Sequence, residues 1–62
     1  MTARVLLRLL QRHGWTIGRI RGSHHLMVRT GRRSVPLPLH GKRDLPGGLV
    51  KAILKQTGIE EE

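Results

Sequence analysis

Cysteine is absent from the 62 residues, so neither a disulfide nor a thiolate–zinc centre can staple the fold. That usage suits a reducing compartment, and a cytoplasmic location is expected. Phe and Tyr are absent too, and Trp15 is the only aromatic residue. The lack of a platform for stacking unpaired bases argues against a single-strand reader of the RNA-recognition-motif or OB type. Long apolar runs are missing. The N-terminal one is broken by Arg8 and no charged segment precedes it, so neither a signal peptide nor a membrane span is expected. No Walker loop, dinucleotide fingerprint or nucleophile elbow occurs.

Acidic side chains are the scarcest of the charged groups. Three of the four are Glu60, Glu61 and Glu62, so up to Ile59 twelve Lys and Arg face Asp44 alone. Nine of the twelve are Arg, whose planar fork suits phosphate. The balance calls for a polyanion or an acidic protein as partner; solubility is the plainer alternative. Residues 1–62 read as a single domain with a mobile acidic tail at 60–62. A chain this short buries only about 60% of its unfolded surface, so the core is marginal.

Thr2 can cap a first helix, on which Val5, Leu6, Leu9 and Leu10 share a face. Gly14 and Trp15 then stand where a Schellman motif pairs its last residue with Leu10. Leu54, Gly58 and Ile59 repeat that spacing at the end of a second helix carrying Leu49, Val50, Ile53 and Leu54. Pro46 suits the first position of this helix, and Asp44 can supply an acceptor at its start. Between the helices lie three strand-like runs, at 15–21, 24–29 and 34–39. Ile20 breaks the alternation of the first run, which predicts a bulge near Gly18. The turn at 30–33 predicts a register with Arg29 opposite Ser34. Val28 then faces Val35, Leu26 faces Leu37 and His24 faces Leu39, all on one buried face. Pro36 and Pro38 lack donors on the same edge, so the third strand is an edge strand. The fold class is α+β: a helix, a three-stranded antiparallel sheet and a second helix, with both helices on one face.

The segment Gly22-Ser23-His24-His25 holds the only paired histidines. Histidine both takes and gives protons near neutral pH. RNA cleavage needs a base for the 2′-hydroxyl, an acid for the leaving oxygen, and cations for the charge on phosphorus. In the register above, His24 lies at the rim of the helix-covered face and His25 on the open face. A rim histidine bonded to backbone is the plainer reading of His24. His40 can reach the same end of the sheet as a second proton carrier or serve as an ordinary loop residue. His13 reads as structural, at the end of the first helix. Cations that could hold an RNA backbone are Arg21, Arg29, Arg32, Arg33, Lys42 and Arg43, with His40 beside them. Arg4, Arg8 and Arg12 form a ridge of like charge, as do Lys51 and Lys55, and such ridges are destabilising unless an anion meets them. The histidine pair lacks a Cys or nearby carboxylate to complete a metal shell, so no metal or other cofactor is expected.

These residues resemble the HicA (YcfA-like) toxins, the mRNA interferases of type II toxin–antitoxin pairs. The resemblance runs from the Leu-rich helix closed by Gly14-Trp15, through Gly22-Ser23-His24-His25 and Val35-Pro36, to Asp44-Leu45-Pro46 and the stretch from Lys51 to Ile59. The chain departs from the family pattern at Met27, where many relatives carry an aromatic residue, and at Gly18. The resemblance implies a fold similar to a double-stranded-RNA-binding domain, endoribonuclease activity on mRNA with growth arrest, and neutralisation by a HicB-like antitoxin. It implies His24 as the catalytic histidine, with adjacent His25 second and Gly22 and Ser23 shaping the turn before them. A non-catalytic double-stranded-RNA-binding module of the same shape is the alternative, and a basic protein that only docks an acidic partner is a third.

Overall fold

The computed structural model describes residues 1–39 and 41–59. His40 and the acidic tail at 60–62 lie outside the described residues. The elements are α1 (Ala3–Arg12), β1 (Thr16–Arg21), β2 (His24–Val28), β3 (Val35–Pro38) and α2 (Gly47–Thr57), in the expected order. The strands form one antiparallel sheet in the order β1-β2-β3.

Each helix boundary has a local cause. The Thr2 hydroxyl accepts from the Val5 N–H at 3.3 Å, capping α1 as its sequence predicts. At the other end Trp15 N–H donates to Leu10 O at 3.0 Å and Gly14 N–H to Gln11 O at 3.2 Å, which is the full Schellman pair. That turn drops Trp15 into the core. The repeat of this grammar on α2 is partial. Gly58 takes the left-handed conformation, but Ile59 N–H donates to Thr57 Oγ1 rather than following Trp15. The start of α2 also differs from expectation. Pro46 is the capping residue, not the first helical one, and no side chain caps it. Asp44 pairs elsewhere, bridging to Thr2 and lying 3.5 Å from the Met1 amino group.

The core gathers Ala3, Leu6 and Leu10 from α1, Met27, Val35 and Leu37 from the sheet, and Ile53 and Leu54 from α2, with Trp15, Leu45 and Ile59. Both helices therefore cover one face of the sheet. Val5, expected in the stripe, is 53% exposed, because the buried line of α1 runs through positions 3, 6 and 10.

The register of β2 with β3 differs from the expected one by a single residue. Met27 faces Val35, Leu26 faces Pro36, His25 faces Leu37 and His24 faces Pro38. The hairpin closes tightly, with Arg32 N–H donating to Arg29 O at 3.0 Å, and this turn draws β3 back by one position. Since side chains alternate, the shift exchanges the two faces of β2. Met27 goes fully into the core while Leu26 and Val28 lie half-buried on the open face. Two features accommodate that choice. Ile17 pairs with Met27 and Arg19 with Leu26, leaving Gly18 as the extra residue of the expected bulge. Val28 fills the space beside it: a Cβ on Gly18 would lie 2.8 Å from Val28 Cγ1. Leu39 N–H donates to Ser23 O at 2.7 Å, so the odd residues of β3 aim their donors inward and Pro36 and Pro38 face outward, as the sequence predicts for an edge strand.

Candidate active site

Gly22 and Ser23 connect Arg21 to its partner His24 as a two-residue hairpin. Gly22 has φ +58° and Ser23 a negative φ, the pattern of a type II′ turn, which wants glycine first. The turn fixes the parity of β2. His24 and His25 are neighbours in sequence and lie on opposite faces of the sheet.

The faces are the reverse of those expected. His24 is exposed on the open face, across from Arg21 and Pro38 rather than Leu39. There it lines a hollow of about 210 Å³ with Arg19, Arg21, Leu26 and Pro36. His25 is half-buried on the helix-covered face, between Ile20 of β1 and Leu37 of β3. It lines a cleft of about 310 Å³ with Arg4, Leu7, Arg8 and Gln11 of α1, and with Leu39. The His25 Nδ1 is sealed from solvent and has no hydrogen-bond partner among the described residues, as is also true of Trp15 Nε1 in the core. An orphaned buried polar atom costs about 1–3 kcal/mol, and its presence asks for a reason.

The other expected cations scatter. Arg29, Arg32 and Arg33 gather around the β2–β3 turn, at the far end of β2 from the histidines, with Arg29 about 13–16 Å away along the strand. Arg29 lies against Gly14. Arg32 donates to Gln56 O at 3.3 Å and covers Gly58, tying the turn to the end of α2. Arg33 is exposed. Lys42 and Arg43 are exposed in the loop after β3, where Arg43 lines a separate groove with Pro38, Asp44, Leu45, Pro46 and Leu49. Among the described residues, Arg21 is the one of the expected set that lines a cavity with a histidine. The cleft around His25 is instead cationic through Arg4 and Arg8, which the sequence shows as part of a helical ridge. The signal that could have placed them is Leu7 between them, half-buried at the spacing that turns this side of α1 toward the sheet. Among the described residues, no three His, Cys, Asp or Glu side chains gather as a metal shell, and no helix is long and apolar enough to cross a membrane.

Fold and site together define a small, strongly basic α+β domain with a histidine cleft flanked by guanidinium groups. A search of curated proteins returned no match. The family model described as the HicA toxin of bacterial toxin–antitoxin systems matches residues 3–59, and the chain belongs to that family. It is thus of the kind that pairs with an antitoxin.

Proposed function

We propose that this toxin is a metal-independent endoribonuclease that cuts mRNA in the cytoplasm and arrests translation and growth until a HicB-like antitoxin covers its site. The single observation that carries the reading is the half-buried His25 with its unpartnered Nδ1, set in a cleft beside Arg4 and Arg8. Trp15 Nε1, deep in the core, is left without a partner among the described residues as well, so what sets His25 apart is that its ring lines a cleft with two guanidinium groups. Of the adjacent pair, His25 therefore takes the proton-transfer role in this proposal, in preference to His24.

The chemistry uses what the cleft offers. Nε2 of His25 accepts the proton of a ribose 2′-hydroxyl as its oxygen bonds to the adjacent phosphorus. The bond from phosphorus to the 5′-oxygen breaks, and that oxygen takes a proton from water or from a second acid. The products are a 2′,3′-cyclic phosphate and a 5′-hydroxyl. Arg4 and Arg8 hold the phosphate and balance the charge that builds on it.

The test is incubation of the purified protein with an end-labelled mRNA in EDTA. Cleavage with cyclic-phosphate ends is expected. Binding without cleavage, with and without magnesium, would replace this reading by that of a non-catalytic double-stranded-RNA-binding module.

A further inference from the structure

The hollow on the open face has no part in the cleft chemistry, since the sheet stands between them. Its composition is nonetheless selective. Arg19 and Arg21 point to the same side two residues apart, and His24 stands directly across from Arg21. Arg19 and Arg21 thus bring two like charges to one face of the sheet, and no acid lies among the residues of the hollow. The one described acid, Asp44, is beside the Met1 amino group instead. Leu26 and Pro36 complete the lining with apolar surface. Two guanidinium forks and an imidazole over an apolar floor, in about 210 Å³, fit a phosphodiester whose sugar rests on Leu26 and Pro36.

We propose that Arg19, Arg21 and His24 form a second phosphate subsite for the RNA, on the face of the sheet opposite the His25 cleft. The proposal rests on the reading of the protein as an RNA-cutting toxin and adds the path of the strand. His24 and His25 are consecutive, with Cα atoms about 3.8 Å apart. The turn between β1 and β2 is short and exposed. An RNA strand that crosses Gly22 and Ser23 meets both faces within a few nucleotides, so the hairpin tip acts as a wedge. The bend would draw the linkage near His25 away from helical stacking.

The experiment is anisotropy of a labelled, 2′-O-methylated single-stranded RNA that cannot be cleaved, titrated at several salt concentrations. The paired substitution Arg19→Ala with Arg21→Ala is compared with Lys51→Ala with Lys55→Ala, which removes the same charge from α2. The first pair is expected to weaken binding at least tenfold more than the second. It should also flatten the plot of log affinity against log salt by about 1.4, from about 0.7 per lost contact on a single strand. His24→Ala should weaken binding in the same direction without that change of slope. Circular dichroism checks folding, and Arg19→Gln with Arg21→Gln repeats the measurement with less loss of packing. Equal effects of the two pairs overturn the subsite. So does a loss confined to binding of an acidic antitoxin, which would make the face a protein contact. Cleavage is not part of the readout. A protein that binds as described yet never cuts RNA defeats the nuclease reading and leaves the subsite standing.

Discussion

The two faces of the sheet treat one dipeptide in opposite ways. On the helix-covered face, His25 is pinned between Ile20, Leu37 and α1, with a nitrogen left unpartnered. On the open face, His24 stands exposed in a guanidinium field. The residues are chemically identical and adjacent, so what separates them is the parity set by Gly22-Ser23 and the register set by the Arg29–Arg32 turn. Burial restricts the ring and strengthens the effect of every charge near it, the condition for proton transfer. Exposure keeps a side chain available for long flexible ligands, the condition for holding a backbone. The difference teaches that in a hairpin this short, the surroundings of each residue are set by backbone geometry before residue type.

The comparison can be broken most severely by removing the two histidines one at a time. His25→Ala is expected to reduce single-turnover cleavage by about 10²–10⁴, the range for loss of a positioned acid or base, with RNA affinity nearly unchanged. His24→Ala should do the opposite, weakening affinity while leaving the rate at saturating RNA within a few-fold. If His24→Ala abolishes cleavage and His25→Ala does not, the chemistry belongs to the open face and the family resemblance at His24 is the better guide.

A smaller effect separates cleft cations from the rest of their helix. Arg8→Ala should lower the saturated rate by about 10², at the low end for losing a group that meets developing charge. Arg12→Ala removes the same charge from the same helix but does not line the cleft, and should change the rate less than threefold. Equal losses from the two would mean that α1 acts only through its overall field.

Much of this arrangement is legible in the sequence, and the part that is not has one physical origin. The cap at Thr2, the Schellman closure at Trp15, the bulge at Gly18 and the outward prolines of β3 each rest on local chemistry within a few residues, and each is present. The register is misread when apolar side chains are simply counted. Leu26 and Val28 outnumber Met27, yet Met27 is the one fully buried. A sheet covered on one side still shelters apolar groups on the other when a bulge and a glycine make room, as Gly18 does for Val28. With the parity reversed, the two histidines trade faces, and His25 comes to share a cleft with Arg4 and Arg8, which remain exposed on their helix. A helix ridge carries no information about which loop or strand it overhangs.

The room at Gly18 is itself testable. A methyl group there meets the stiff Val28 side chain at 2.8 Å, so Gly18→Ala should destabilise the fold by about 1–3 kcal/mol, as overpacking does. Urea unfolding would measure it. Gly18→Ala combined with Val28→Ala should recover part of the loss if the contact is the cause. Recovery would also show that the open face depends on this close approach to keep β2 in its observed parity.

The smallest effect runs in the opposite direction and bears most directly on why His25 is unsatisfied. A polar atom retained for catalysis at a buried position is a stability deficit, and replacing it by an apolar group of similar size should relieve that deficit. His25→Leu is therefore expected to raise stability by about 1 kcal/mol, which for a domain of this size is about 4–8 °C in Tm, while eliminating cleavage. His24→Leu changes an exposed side chain and should shift Tm by no more than about 2–4 °C, since surface changes stay within about 0.5 kcal/mol. Thermal melts of the two variants, followed by far-ultraviolet circular dichroism, provide the comparison. A His25→Leu protein less stable than the parent would mean that the imidazole has a partner in solution and serves the fold, removing the observation on which its catalytic role is argued.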